Sequence, residues 1–158
     1  MMKPKAILCA ALCFLLCLSG CRSDQVPGLA WDASEMVELH LFQGGVPADA
    51  HRKTTTDLQE IQRVAKTLKS LGREWESTDI ALYAGGIGLY LCFYREDLSR
   101  EVVHLGSGGE FLSTGEGSYK LTAPLDLDAL WDSVDGEAEW VGEDGLPEIG
   151  SFPAPEGG

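Results

Sequence analysis

A single amphipathic stripe stands alone in this chain. Leu58, Ile61, Val64, Ala65, Leu68 and Leu71 recur every three or four residues, which places them on one face of a helix. The apolar residues after it come in short runs at 80–84, 87–94, 100–105, 110–113 and 118–122, separated by Gly85-Gly86, Gly106-Ser107-Gly108-Gly109 and Gly115-Glu116-Gly117. Short runs joined by glycine turns read as an antiparallel meander. One more strand precedes the helix, where Val37, Leu39 and Leu41 alternate with Glu38, His40 and Phe42. The expected fold is therefore α+β: an antiparallel meander of four to six strands, one long amphipathic helix packed on one face, and a short C-terminal helix through Leu127, Leu130, Trp131 and Val134. The run 87–94 is apolar on both faces and belongs at the centre. Thr56 with Gln59 is the expected cap of the first helix, and Gly72 its stop. Asp126 caps the second helix and Gly136 ends it.

The chain has 158 residues, 44% of them hydrophobic, enough for one core. Its net charge of −13 excludes nucleic acid as a partner, because phosphate binding needs clustered Lys and Arg.

The first twenty residues read as an address. Lys3 and Lys5 give a positive start, and residues 6–18 form an uncharged run of 13. That length suits a signal segment and is short of the ~20 residues of a membrane-spanning helix. The run closes on Leu18-Ser19-Gly20-Cys21, which resembles the lipobox of bacterial lipoproteins. The resemblance implies that the Cys21 thiol receives diacylglycerol, that a signal peptidase cuts between Gly20 and Cys21, and that Cys21 becomes the N-terminus. Two or more acyl chains anchor a protein stably. The expected location is the extracytoplasmic face of the cell membrane. Cys9, Cys13 and Cys17 leave with the signal segment, so Cys92 is the sole remaining unlipidated thiol and no internal disulfide is available. The mature chain carries ten basic and twenty-five acidic residues, net −15.

The expected organisation is a cleaved signal segment (1–20), a polar tether (21–33) with Pro27 and Gly28, one globular domain (34–136), and a disordered acidic tail rich in Gly and Pro (137–158). More broadly, the chain is similar to small uncharacterised lipoproteins of Gram-positive bacteria. The residues that carry this likeness are Cys21, the helix Asp57-Leu58…Ile61…Leu68…Leu71, and Gly88-Leu89-Tyr90-Leu91…Val103-His104-Leu105-Gly106…Gly117-Ser118-Tyr119-Lys120-Leu121. It implies a location and a fold class, and no activity.

No catalytic motif is present. The glycine clusters lack the Lys-Ser or Lys-Thr of a phosphate-binding loop. Ser107 beside His104 does not meet G-x-S-x-G and reads as a turn serine next to a surface histidine. His40, His51 and His104 lack metal-ligand spacing. The acids Asp126, Asp128, Asp132, Asp135 and Glu137 fail as a calcium loop, since Leu130 and Trp131 fall where an oxygen ligand and a glycine are needed. Cys92, in an apolar run, reads as a buried structural thiol. No catalytic, metal-binding or cofactor residue is assigned. The expected function is a non-enzymatic binding or interaction module, held to the membrane through lipid on Cys21, with a protein or small ligand as partner. Two alternatives remain open. One is a cystatin-like protease inhibitor, which strand, helix and four strands would resemble but whose Gln-x-Val-x-Gly motif is missing. The other is a metal-binding or enzymatic lipoprotein.

Overall fold

A computed structural model describes residues 25–77 and 87–157. Among the described residues the chain forms an α+β domain built on a nine-stranded sheet whose pairings are antiparallel. In chain order the elements are β1 (Glu38–Gly44), β2 (His51–Thr55), α1 (Leu58–Lys69), β3 (Arg73–Ser77), β4 (Gly88–Tyr94), β5 (Arg100–Leu105), β6 (Phe111–Thr114), β7 (Gly117–Leu121), α2 (Leu127–Asp132), β8 (Glu139–Trp140) and β9 (Gly150–Phe152). The sheet order is β3-β7-β6-β5-β4-β1-β2-β8, and β9 pairs with β5. The expected meander is there as β4 to β7. It sits inside a wider sheet, because β2, β3, β8 and β9 raise the count above the expected six.

The polar segment His51–Thr55 becomes a strand through its partner. It pairs with β1 from Leu39↔Thr55 to Gln43↔His51, so two strands precede the helix rather than one. The expected strand at 80–84 and its glycine turn lie outside the described residues.

α1 has twelve residues, shorter than the expected long helix, and buries Ile61, Val64, Ala65 and Leu68. Its cap is Asp57, one residue later than expected. The Asp57 carboxylate accepts from the N–H of Gln59 at 2.8 Å and of Glu60 at 3.3 Å, while Thr55 Oγ1 donates to the Glu60 carboxylate at 2.6 Å. A carboxylate at the cap suits the helix dipole better than a hydroxyl does. Gly72 lies beyond the Ser70 cap. It faces Thr122, whose Oγ1 would be 2.9 Å from a Cβ there, and its carbonyl accepts from Thr122 N–H.

Strand alternation sorts the core into two faces. The first holds Leu39, Leu41, Leu89, Leu91, Phe93, Val103, Leu105, Leu112, Tyr119 and Leu121 with the α1 residues. The second holds Phe42, Tyr90, Cys92 and Val102. β4 contributes to both, as its sequence requires.

Both ends of the domain depart from expectation. The expected tether is fold from Gln25 onward: Val26 and Leu29 are buried in the first core, Thr114 Oγ1 donates to the carbonyl of Pro27 at 3.0 Å, and Trp31 packs on Phe93 at 4.7 Å between ring centroids. The expected tail is a strap across the second face. Val141, Leu146, Ile149 and Phe152 pack on Phe42, Tyr90, Cys92 and Val102. The outer edge of β5 is thereby shared: β6 pairs with His104 and Leu105, and β9 with Arg100, Glu101 and Val102. The helix expected at the C-terminus, α2, is followed by two strands. Segments near both ends of the described chain reach one hairpin, since a side chain on Gly28 would meet Thr114 and one on Gly115 would meet Gly150.

Candidate functional site: a cleft at one end of the sheet

The registers Gly44↔Gly88 and Leu89↔Leu105 bring the end of β1, the start of β4 and the end of β5 to one end of the sheet. Two glycines let the backbone close up there. Gly88 has φ +62°, and a Cβ on it would fall 2.0 Å from the carbonyl oxygen of Leu105. Gly109 has φ +70°, and its Cβ would fall 1.9 Å from the carbonyl oxygen of Leu125. No other residue type fits either place. Leu125 N–H donates to Gly109 O at 2.9 Å, which lays the start of α2 over the sheet end.

Polar groups then lock α2 in position. Asp126 caps it, as expected, accepting from Ala129 N–H at 2.9 Å. At its other end, Lys53 Nζ donates to the carbonyls of Trp131 and Val134 at 3.2 Å each, and Arg63 donates to that of Ser133. Cations on the last carbonyls complement the dipole. Asp135 N–H donates to the buried Glu60 carboxylate at 3.0 Å, so one side chain of α1 holds both β2 and the exit from α2.

Between α2 and the sheet end lies a cleft of about 730 Å³, whose lining includes Gln43, Asp49, His51, Asp126, Asp128 and Trp131. That volume suits a small molecule. Among the described residues, none that lines it is Lys or Arg. Gln43 Nε2 donates to Asp128 at 2.9 Å. His51 Nδ1 donates to the carbonyl of Asp49 at 2.9 Å, which fixes the proton on that nitrogen in the neutral ring and leaves Nε2 as its acceptor. The Trp131 ring is steadied by Lys53 Nζ, 4.8 Å from its centroid. These groups come from three separate stretches of chain, at 43, 49–53 and 126–131. Of them, the sequence singles out Asp126 as a helix cap, Asp126 and Asp128 as a failed calcium loop, His51 as an isolated histidine and Trp131 as a position on the short second helix.

Ser107 also lines the cleft, without the His104 beside it in sequence. His104 is 2% exposed, not the surface histidine expected. Its Nε2 donates to the carbonyl of Ile87 and its ring lies 4.3 Å from that of Tyr90. Burial pushes its pKa below the ordinary histidine value, against the pull of the Ile87 carbonyl.

The second face brings a cysteine and a histidine into register. His40 lies opposite Cys92, and its Nε2 donates to Glu38 at 2.6 Å. A thiol nucleophile would need a thiolate. Burial instead pushes the Cys92 thiol up to about 11, which keeps it protonated at neutral pH. Its neighbour Tyr94 is pushed up to about 12, by burial first and by its bond to Cys92 second.

Among the described residues, no group of three or more His, Cys, Asp and Glu side chains is placed to hold a metal ion, and no helix is long and apolar enough to cross a membrane. The residues expected to carry the lipid anchor, Leu18, Ser19, Gly20 and Cys21, lie outside the described residues. Comparison with protein-family models, with curated proteins and with solved structures finds no match.

Proposed function

We propose that the protein is a lipid-anchored binding module on the extracytoplasmic face of the cell membrane, with the cleft under α2 as its ligand site. The cleft carries this reading. It is large enough for a small molecule, and its polar groups are tied to one another or to backbone rather than set as a nucleophile and base. Three carboxylates, an aromatic ring and no lining cation suit a small organic cation, held by charge and by the face of Trp131. The lipobox sequence Leu18–Cys21 supports the anchor.

Two measurements test this reading. Titration calorimetry with a panel of small amines and quaternary ammonium compounds should find one that binds, with Asp128→Asn and Trp131→Ala each weakening it about tenfold or more. A panel without a binder, or a binder indifferent to both changes, defeats the cleft as the site. Separately, Cys21→Ala should move the protein from the membrane fraction to the soluble one; retention at the membrane defeats the anchor.

A further inference from the structure

We infer that the domain stands directly on the bilayer, with the hairpin between β6 and β7 toward the lipid and the acidic cleft and β8 edge facing away. The inference rests on the proposed anchoring of Cys21. Two observations carry it, one of chain length and one of charge.

The chain is fixed in the fold from Gln25, whose Nε2 donates to the carbonyl of Leu29 at 2.6 Å. Val26 is buried, and Pro27 and Gly28 lie against Thr114 at the end of β6. Between Cys21 and Gln25 there are only Arg22, Ser23 and Asp24. Four peptide steps span at most ~14 Å. The surface beside Thr114 therefore cannot move far from the lipid, whereas a tether running to residue 33 would have let the domain turn freely.

Charge selects the same orientation. Residues 111–121, which form the β6–β7 hairpin, carry one acid, Glu116, and one base, Lys120. Residues 126–148, which form α2, β8 and the start of the strap, carry nine acids and no Lys or Arg. Bacterial lipid surfaces are anionic, and their potential acts within a Debye length of ~8 Å. An acidic domain held this closely turns its neutral side to the lipid. β8 lies five strand positions from β6 in the sheet order, ~24 Å at the usual strand spacing. Ligand would then reach the cleft from the aqueous side, not from the bilayer.

The test uses the full-length protein, processed in bacteria and purified from their membranes. Intact mass first reads whether Cys21 carries diacylglycerol. The lipidated protein is then placed in vesicles of phosphatidylcholine and phosphatidylglycerol, with an energy acceptor on the lipid headgroups. A donor dye is attached at Glu116→Cys or at Glu137→Cys, both exposed positions; Cys92 is buried and takes no label. The expected result is transfer at least twofold more efficient from position 116 than from 137. Inserting fifteen Gly and Ser residues after Asp24 should bring the two values together. Equal transfer with the native spacing, or stronger transfer from 137, overturns the orientation and leaves the anchor standing. An unmodified Cys21 overturns the anchor, and the orientation with it.

Discussion

Phe152→Ala measures whether the C-terminal strap belongs to the fold. Phe152 is mostly buried on the second face, against a cluster that includes Tyr90, Cys92 and Val102. Truncating a fully buried Phe costs about 3–5 kcal/mol, and partial exposure lowers that to about 2–3 kcal/mol. The ring also carries the Arg100 guanidinium, 4.5 Å from its centroid, a contact worth about 0.5–1 kcal/mol. The expected loss is thus about 3 kcal/mol. For a domain of roughly 130 residues this lowers Tm by about 10 °C. Urea unfolding followed by far-ultraviolet circular dichroism should show a lower midpoint with an unchanged slope. Arg100→Met should remove only the smaller part, and the double variant should lose less than the two single losses together, because the residues share one contact. A loss below about 0.5 kcal/mol for Phe152→Ala would mean that residues 137–158 are a tail after all, and the reasoning from burial would fall.

Three further outcomes follow from buried groups. Glu60→Ala should cost about 2–3 kcal/mol, because it leaves the Asp135 N–H and the Thr55 hydroxyl without their acceptor; Glu60→Gln should cost less, and equal costs would show that the acceptor is immaterial. Cys92, with its thiol at about 11 and its side chain buried, should react with maleimide only as fast as the domain unfolds; rapid labelling of the native protein at neutral pH would contradict its burial. His104 should make the fold acid-sensitive. Its folded pKa lies below the ordinary 6.5, so below that pH the unfolded chain takes up a proton that the folded one resists. Stability is full above 6.5 and is lost as pH falls toward the lowered folded value. Comparing urea midpoints at pH about 7.5 and about 6 should show this slope in the native chain and a shallower one in His104→Gln; equal slopes would remove His104 as the cause.

The elements legible in the sequence were those whose signal is local. The stripe from Leu58 to Leu68 needs only helical spacing, and the central place of β4 needs only a run apolar on both faces. β2 gave no such signal, since His51-Arg52-Lys53-Thr54 is polar and becomes a strand through its register with β1. The strap was hidden for a related reason. Val141, Leu146, Ile149 and Phe152 follow no period, because a segment crossing a face meets it at irregular points. β9 also pairs with a strand some fifty residues earlier. Val26 and Leu29 were masked by the Pro27-Gly28 pair, which reads as linker and is a turn against Thr114. As for the cleft, its residue types were visible, but nothing short of the sheet order could bring Gln43 to Asp128.

The β6–β7 hairpin is touched by a segment near each end of the described chain, which brings residues 27–28 and residue 150 to one corner of the fold. With Pro27 and Gly28 against Thr114 on one side and Gly150 against Gly115 on the other, a linker from Phe152 back to Gln25, in place of the residues outside them, would join the two segments. New ends could then be opened in the exposed turn at Gly45-Val46, between β1 and β2. Such a circular permutant would keep every strand pairing and free the β6–β7 corner of covalent ends. The place of attachment could then be moved from the β6–β7 corner to the new ends.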